Sequence, residues 1–201
     1  MISYRQTYPN SCGAASLMCC AIEIGITDVP ANVGLNPLWV AAHPLNIRGD
    51  LQSETMIYAV TSGSAGAPTN NSGYSLPSKI GIAAKALGLT TIAFVPQSIT
   101  GKLLLFLYNN EKVDAQNVGM LLKREAAPVL TGNQRLLKTL RVGSASSWLP
   151  ATRLHYVMQR PDLSIMDPGL GQNFPSLDIA IQAHNANGVF YEDTGLAITV
   201  V

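Results

Sequence analysis

The chain has 201 residues, enough for one sizeable domain. Hydrophobic residues make up 47% and charged residues 12%, so a large core is expected and wholesale disorder is excluded. A net charge of +1 without a polybasic run argues against nucleic acid and against an anionic membrane as partners, and no apolar run reaches the length of a membrane span.

The first residues, Met1-Ile2-Ser3-Tyr4-Arg5, lack the charged-then-apolar pattern of a signal peptide. The protein is therefore expected to be cytoplasmic as made, or secreted or delivered into a target cell by a route without a cleaved signal. A polar lead-in ends at Ser11, a plausible N-cap, where Ala14, Leu17, Met18, Ala21 and Ile22 recur at helical spacing and predict a buried helix over 12–24, stopped by Gly25. Residues 27–76 are rich in proline and small residues and read as an elaborated insertion, with a short helix expected over 53–60 and a loop over 62–73. Arg48-Gly49-Asp50 reads as a turn. Pro77 and Ser78 open a helix that Gly88 closes, and residues 90–95 form a strand.

Helices are then expected over 99–108 and 118–124, a short strand over 128–130, a weaker strand over 138–142, and a loop over 143–150 carrying Trp148. The last third reads as antiparallel sheet. Strand 153–159 pairs with 163–166 through Arg160-Pro161-Asp162, a short helix follows over 179–186, and 188–191 with 195–201 makes a final hairpin. The whole chain, 1–201, is expected to be one α+β domain in which the N-terminal helix packs on a C-terminal antiparallel sheet.

Cys12, Cys19 and Cys20 all lie on the first helix. Two helical turns separate Cys12 from Cys19, roughly 10 Å, too far for a disulfide. Cys19 and Cys20 read as buried small hydrophobes. Without a CxxC pair, an HExxH, a GxGxxG or a Walker loop, neither a metal nor a cofactor is expected. Cys12 has a different address. It opens the helix, where unpaired backbone N–H groups and the helix dipole favour an anionic sulfur.

A thiolate nucleophile needs a base, a group to orient that base, and donors for an oxyanion. His155, in strand 153–159, is the candidate base. Asp167 closes the next strand, and hairpin pairing sets it beside His155. Gln6, six positions before Cys12, and the Cys12 backbone N–H are the candidate oxyanion donors. His43 and His184 have no evident partner and read as surface residues.

This set of residues resembles the papain-like cysteine peptidases, nearest to the bacteriocin-processing, double-glycine leader peptidase (C39) type. The matching stretches are Gln6, Cys12-Gly13-Ala14-Ala15, His155-Tyr156-Val157 and Asp167-Pro168-Gly169. The helix from Pro77 with the strand after it, and Ala126-Ala127-Pro128-Val129-Leu130, resemble the family's middle section. The resemblance implies a papain-like fold and a cysteine peptidase acting on a protein or peptide, with Cys12 as nucleophile, His155 as base and acid, Asp167 as orienter and Gln6 as oxyanion donor. No transporter membrane domain follows residue 201, so peptide export is not the expected role. A bacterial effector or toxin with a cognate inhibitor or immunity protein is. The same acyl-thioester chemistry would also serve a glutamine deamidase or an acyltransferase, and a partner-binding pseudoenzyme is the non-catalytic alternative.

Overall fold

The computed structural model describes residues 1–28, 39, 46–97, 109–143, 153–186 and 188–201. The expected helix 99–108, the Trp148 loop and His43 lie outside these residues.

Helix α1 (Cys12–Ile24) forms where the apolar spacing places it, and every residue from Cys12 to Ala21 is buried. A helix apolar on all sides belongs inside a core. Gly25, at φ +98°, ends it with backbone bonds back to Ala21 and Ile22. Cys19 and Cys20 are fully buried free thiols, and burial pushes the Cys19 thiol up to about 12. Helix α2 (Leu51–Thr61) starts at Asp50, whose carboxylate accepts from Ser53 N. The small-residue stretch 62–73 contains neither helix nor strand. Helix α3 (Pro77–Ala86) opens on its proline, and Gly88, at φ +76°, turns the chain into β1 (Thr91–Phe94).

Two expectations fail next. Residues 118–124 are not a helix: Leu121–Lys123 is strand β2, and the helix, α4 (Asn109–Asn117), precedes it. The α4 sequence is polar and buries Ala115 against the main core, so apolar periodicity gave no signal for it. Helix α4 carries the crossover that makes β1 and β2 parallel. Residues 128–130 are not a strand; Val129 is exposed, and Leu130 buries itself under β3.

The remaining strands are β3 (Arg135–Gly143), β4 (Arg153–Gln159), β5 (Ile165–Asp167), β6 (Gln172–Phe174) and β7 (Phe190–Val200), with helix α5 (Leu177–Ala186) before β7. The sheet order is β2-β1-β7-β3-β4-β5-β6, antiparallel except for the β1–β2 pair. The expected final hairpin is instead the single strand β7, lying between β1 and β3. Gly195 supplies a bulge, not a turn. The register slips opposite Lys138 and Leu140, and Gly195 takes φ +74° with Pro96 so close that a Cβ would come within 2.9 Å of its ring.

The fold is α+β and compatible with a papain-like arrangement. Side-chain alternation along β4 sorts the two layers. Tyr156 and Met158 join α1, α2 and α3 in the main core, while Val157 joins Leu140, Ile165 and Ala180 of α5 in a smaller one. Ser16, one turn into α1, donates to the Tyr156 carbonyl at 3.2 Å and so fixes the helix of Cys12 to the strand of His155.

Candidate active site

The loop before Cys12 is gathered by one buried carboxylate. Glu54 of α2 accepts from Thr7 N (2.9 Å), the Tyr4 hydroxyl (2.6 Å) and the Ser11 hydroxyl (2.5 Å). Ser11 therefore holds the N-cap position without capping: its hydroxyl turns back, and the first-turn N–H groups of α1 receive no side-chain cap. The lead-in reaches the other side of the site too, since Gln6 N donates to Pro168 O at 2.9 Å.

Gly13 lets this end of α1 approach the 74–77 segment. A Cβ there would meet the Ser75 Cβ at 2.5 Å and Ile80 Cδ1 at 3.1 Å. Gly13→Ala is expected to destabilise the fold despite the better helix former. Overpacking costs about 1–3 kcal/mol, against about 1 kcal/mol gained in helix propensity. Thermal unfolding and substrate turnover check this; a variant of wild-type stability and rate would contradict it.

Strand β5 pairs with β4 only at Met158 and Gln159, so among the described residues no strand covers β4 on that side at His155. Cys12 and Asp167 reach His155 there. His155 Nε2 lies 3.0 Å from Asp167 Oδ1, and Cys12 is the other side chain whose interaction favours the charged ring. Burial disfavours the charged imidazole, but the Asp167 and Cys12 hydrogen bonds outweigh it and push the His155 pKa up to about 10. Burial raises the Asp167 pKa, and hydrogen bonds from His155 and His184 outweigh it, holding the carboxyl well below the usual carboxylate range. An ionised Asp167 only accepts, so His155 donates to it from Nε2, and Nδ1 is the nitrogen left to exchange a proton with the thiol. The turn after β5 finishes the cradle. Gly169 N donates to Asp167 Oδ1 at 2.8 Å, and a Cβ on Gly169 would sit 3.1 Å from His155 Cε1.

Gln6 lies in the lead-in with its Nε2 donating to Tyr8 O (2.8 Å) and Pro9 O (3.1 Å). Among the described residues its buried Oε1 meets no donor. Cys12 also lines a cavity of about 100 Å³, walled by Ala93, Val95, Leu154, Tyr156 and Ile198 with Glu111 and Lys112. Most of that wall is apolar.

Residues 4–201 match the family described as invasion plasmid antigen J, cysteine protease. The chain belongs to the IpaJ cysteine protease family. It is 30% identical over 207 residues to cysteine protease IpaJ of Shigella flexneri, covering 99% of this chain and 78% of that protein. No solved structure matches it. Membership bears out the cysteine-peptidase expectation and does not favour a deamidase, an acyltransferase or a pseudoenzyme. The leader-peptidase type rests on the sequence motifs alone.

This IpaJ-family chain places one more residue at the site than the sequence reading did. His184, expected at the surface, is 6% exposed, and its Nε2 lies 2.5 Å from Asp167 Oδ2. Tyr191 of β7 stacks on it at 3.8 Å between ring centroids and meets the His155 ring edge-on at 5.6 Å. A signal existed: Leu177, Ala180, Ile181 and His184 recur at i, i+3, i+4, i+7, so the histidine continues the buried stripe of α5. By residue type His155, Asp167 and His184 could hold a transition metal. Their separations are instead those of two direct hydrogen bonds, one to each carboxylate oxygen.

Proposed function

We propose that this protease cleaves peptide bonds by papain-like chemistry, with Cys12 as nucleophile, His155 as base and acid, and Asp167 as its orienter. The observation that carries the reading is the buried chain of contacts from Cys12 through His155 to Asp167. His155 Nδ1 holds the proton drawn from Cys12, and the thiolate attacks the substrate carbonyl carbon. Electrons move onto the carbonyl oxygen, and the Cys12 backbone N–H donates a hydrogen bond to the oxyanion. Gln6 adds a second donor by turning one Nε2–H away from the Pro9 carbonyl, the longer of its two bonds. The tetrahedral adduct collapses, the C–N bond breaks, and His155 protonates the leaving amine. His155 then takes a proton from water, whose oxygen releases the acyl group and restores the thiol.

The apolar cavity lined by Cys12 supports a substrate with a large apolar group next to the cleaved bond. The family's name, invasion plasmid antigen, is the ground for proposing an effector acting inside an invaded cell, with a cognate inhibitor in the producer. No helix among the described residues is long and apolar enough to cross a membrane.

Proteome-wide sequencing of new N-termini, with wild type against Cys12→Ala, tests the reading. Termini beside large apolar groups are expected only with the wild type. New termini in both samples would remove Cys12 from the mechanism. Conversion of glutamine to glutamate without new termini would replace cleavage by deamidation.

A further inference from the structure

We propose that His184 is a positioning residue of the catalytic machinery, holding the Asp167 carboxylate so that it aligns His155 for Cys12. The proposal rests on the Cys12–His155–Asp167 reading above and extends it by one group.

The two carboxylate oxygens of Asp167 are served unequally. Oδ1 accepts from His155 Nε2 (3.0 Å), Gly169 N (2.8 Å) and Leu170 N (3.3 Å). For Oδ2 the hydrogen bond found among the described residues is the one from His184 Nε2. Asp167 is 0% exposed, so losing that donor leaves half of a buried charge unsolvated. The carboxylate would then be free to twist toward any other donor, and Oδ1 would leave the plane of the His155 ring. His184 thereby sets the orientation of His155 without touching the thiol.

The surroundings of His184 fit a fixed ring. It lies in the last turn of α5, held by the Ala180 stripe, and Tyr191 stacks on it with the ring planes 14° apart. The His155 and His184 rings meet edge-on at 5.5 Å. The titratable groups facing His155 are Cys12 from α1, Asp167 from the end of β5, His184 from α5 and Tyr191 from β7. Only Asp167 among them is anionic while Cys12 is a thiol, so its alignment decides how long the imidazolium survives as pH rises.

The test compares wild type, Cys12→Ala, His184→Phe and His184→Gln on one cleaved substrate, with melting temperature and circular dichroism recorded for each. Phenylalanine keeps the stack on Tyr191 but not the N–H; glutamine keeps an N–H at similar reach. His184→Phe is expected to lower kcat roughly a hundredfold, the scale of a small misplacement at the reacting atoms, with KM unchanged. Its alkaline limb of kcat/KM should fall to lower pH, because the hydrogen bond that raises the His155 pKa is weakened. His184→Gln is expected to restore the limb and most of the rate. A folded His184→Phe with wild-type kcat and limb would overturn the role of His184 alone, as would equal loss in both variants with the limb unmoved. Activity surviving in Cys12→Ala would overturn the triad and this proposal with it. Should His184→Phe not fold, His184→Asn, too short to reach Oδ2, replaces it and is read the same way.

Discussion

Asp167→Asn is expected to lower kcat by about 10²–10⁴-fold, the range spanned by general acid–base catalysis and by the loss of a triad carboxylate. The surroundings of Asp167 favour an anion. His155 Nε2, Gly169 N and Leu170 N all donate to Oδ1, and His184 Nε2 donates to Oδ2. An asparagine can offer its oxygen to the first three, but its amide nitrogen then meets the His184 N–H, two donors face to face. The alternative flip sets the amide against His155 and drives that ring into the wrong tautomer. The charge matters as well. The Asp167 hydrogen bond is the largest influence raising the His155 pKa to about 10, so removing the anion moves the alkaline limb of the pH–rate profile downward. Steady-state kinetics over a pH series on the folded variant checks this. A rate within tenfold of wild type and an unmoved limb would mean that the carboxylate only shapes the turn before Pro168.

The second large effect is on stability. Glu23, near the end of α1, accepts from Arg160 Nε and Arg135 Nε, both at 2.9 Å, and from Ile2 N at 3.1 Å. Arg160 in turn donates to Ile2 O (2.9 Å) and Asn173 Oδ1 (3.0 Å). Both arginines and Glu23 have little exposed side chain, so Glu23→Ala leaves two guanidinium groups buried without their anion. Breaking a pair of this kind costs about 3–5 kcal/mol, and denaturant unfolding should read a loss of that size. Glu23 also sets an acid limit. Burial raises its pKa, but the Arg160 and Arg135 hydrogen bonds outweigh this and hold the folded value below the ordinary carboxylate value. Its contribution is therefore complete above the unfolded pKa and is lost as pH falls through the folded one. Wild type should lose stability on acidification below about pH 4.5, and the alanine variant should lose less over the same window. Equal acid sensitivity in both proteins would assign the limit to other carboxylates.

The parts of the chain that could be read from residue patterns are those whose local chemistry agrees with their place in the fold. Helix α1 announces itself through apolar spacing and Gly25, and the strands that carry His155 and Asp167 through two largely apolar stretches and a short connection. Elsewhere the decisive forces are not local. The polar helix α4 is held by its neighbours, with Ala115 placed in the main core. The apolar residues after it, read at helical spacing, pair as an edge strand beside β1. Gly195, a turn former in isolation, serves as a bulge because β1 and β3 lie on either side of it. Ser11 has the chemistry of a cap, yet the Glu54 carboxylate, 43 residues away, takes its hydroxyl. His184 looked solitary because its partner, Asp167, lies on a different element.

The lead-in bonds have a consequence for when activity can arise. The Cys12 segment is translated well before the strands of His155 and Asp167, and this end of the chain is tied to them by bonds that skip 140 residues, from Ser16 to Tyr156, and 158 residues, from Arg160 to Ile2. Contacts of such sequence separation form late. A ribosome-bound chain therefore exposes Cys12 long before any histidine, aspartate or apolar slot stands beside it. On this account the nascent protease is harmless to its own translation machinery, and catalytic competence waits until the strands of His155 and Asp167 have been made and docked.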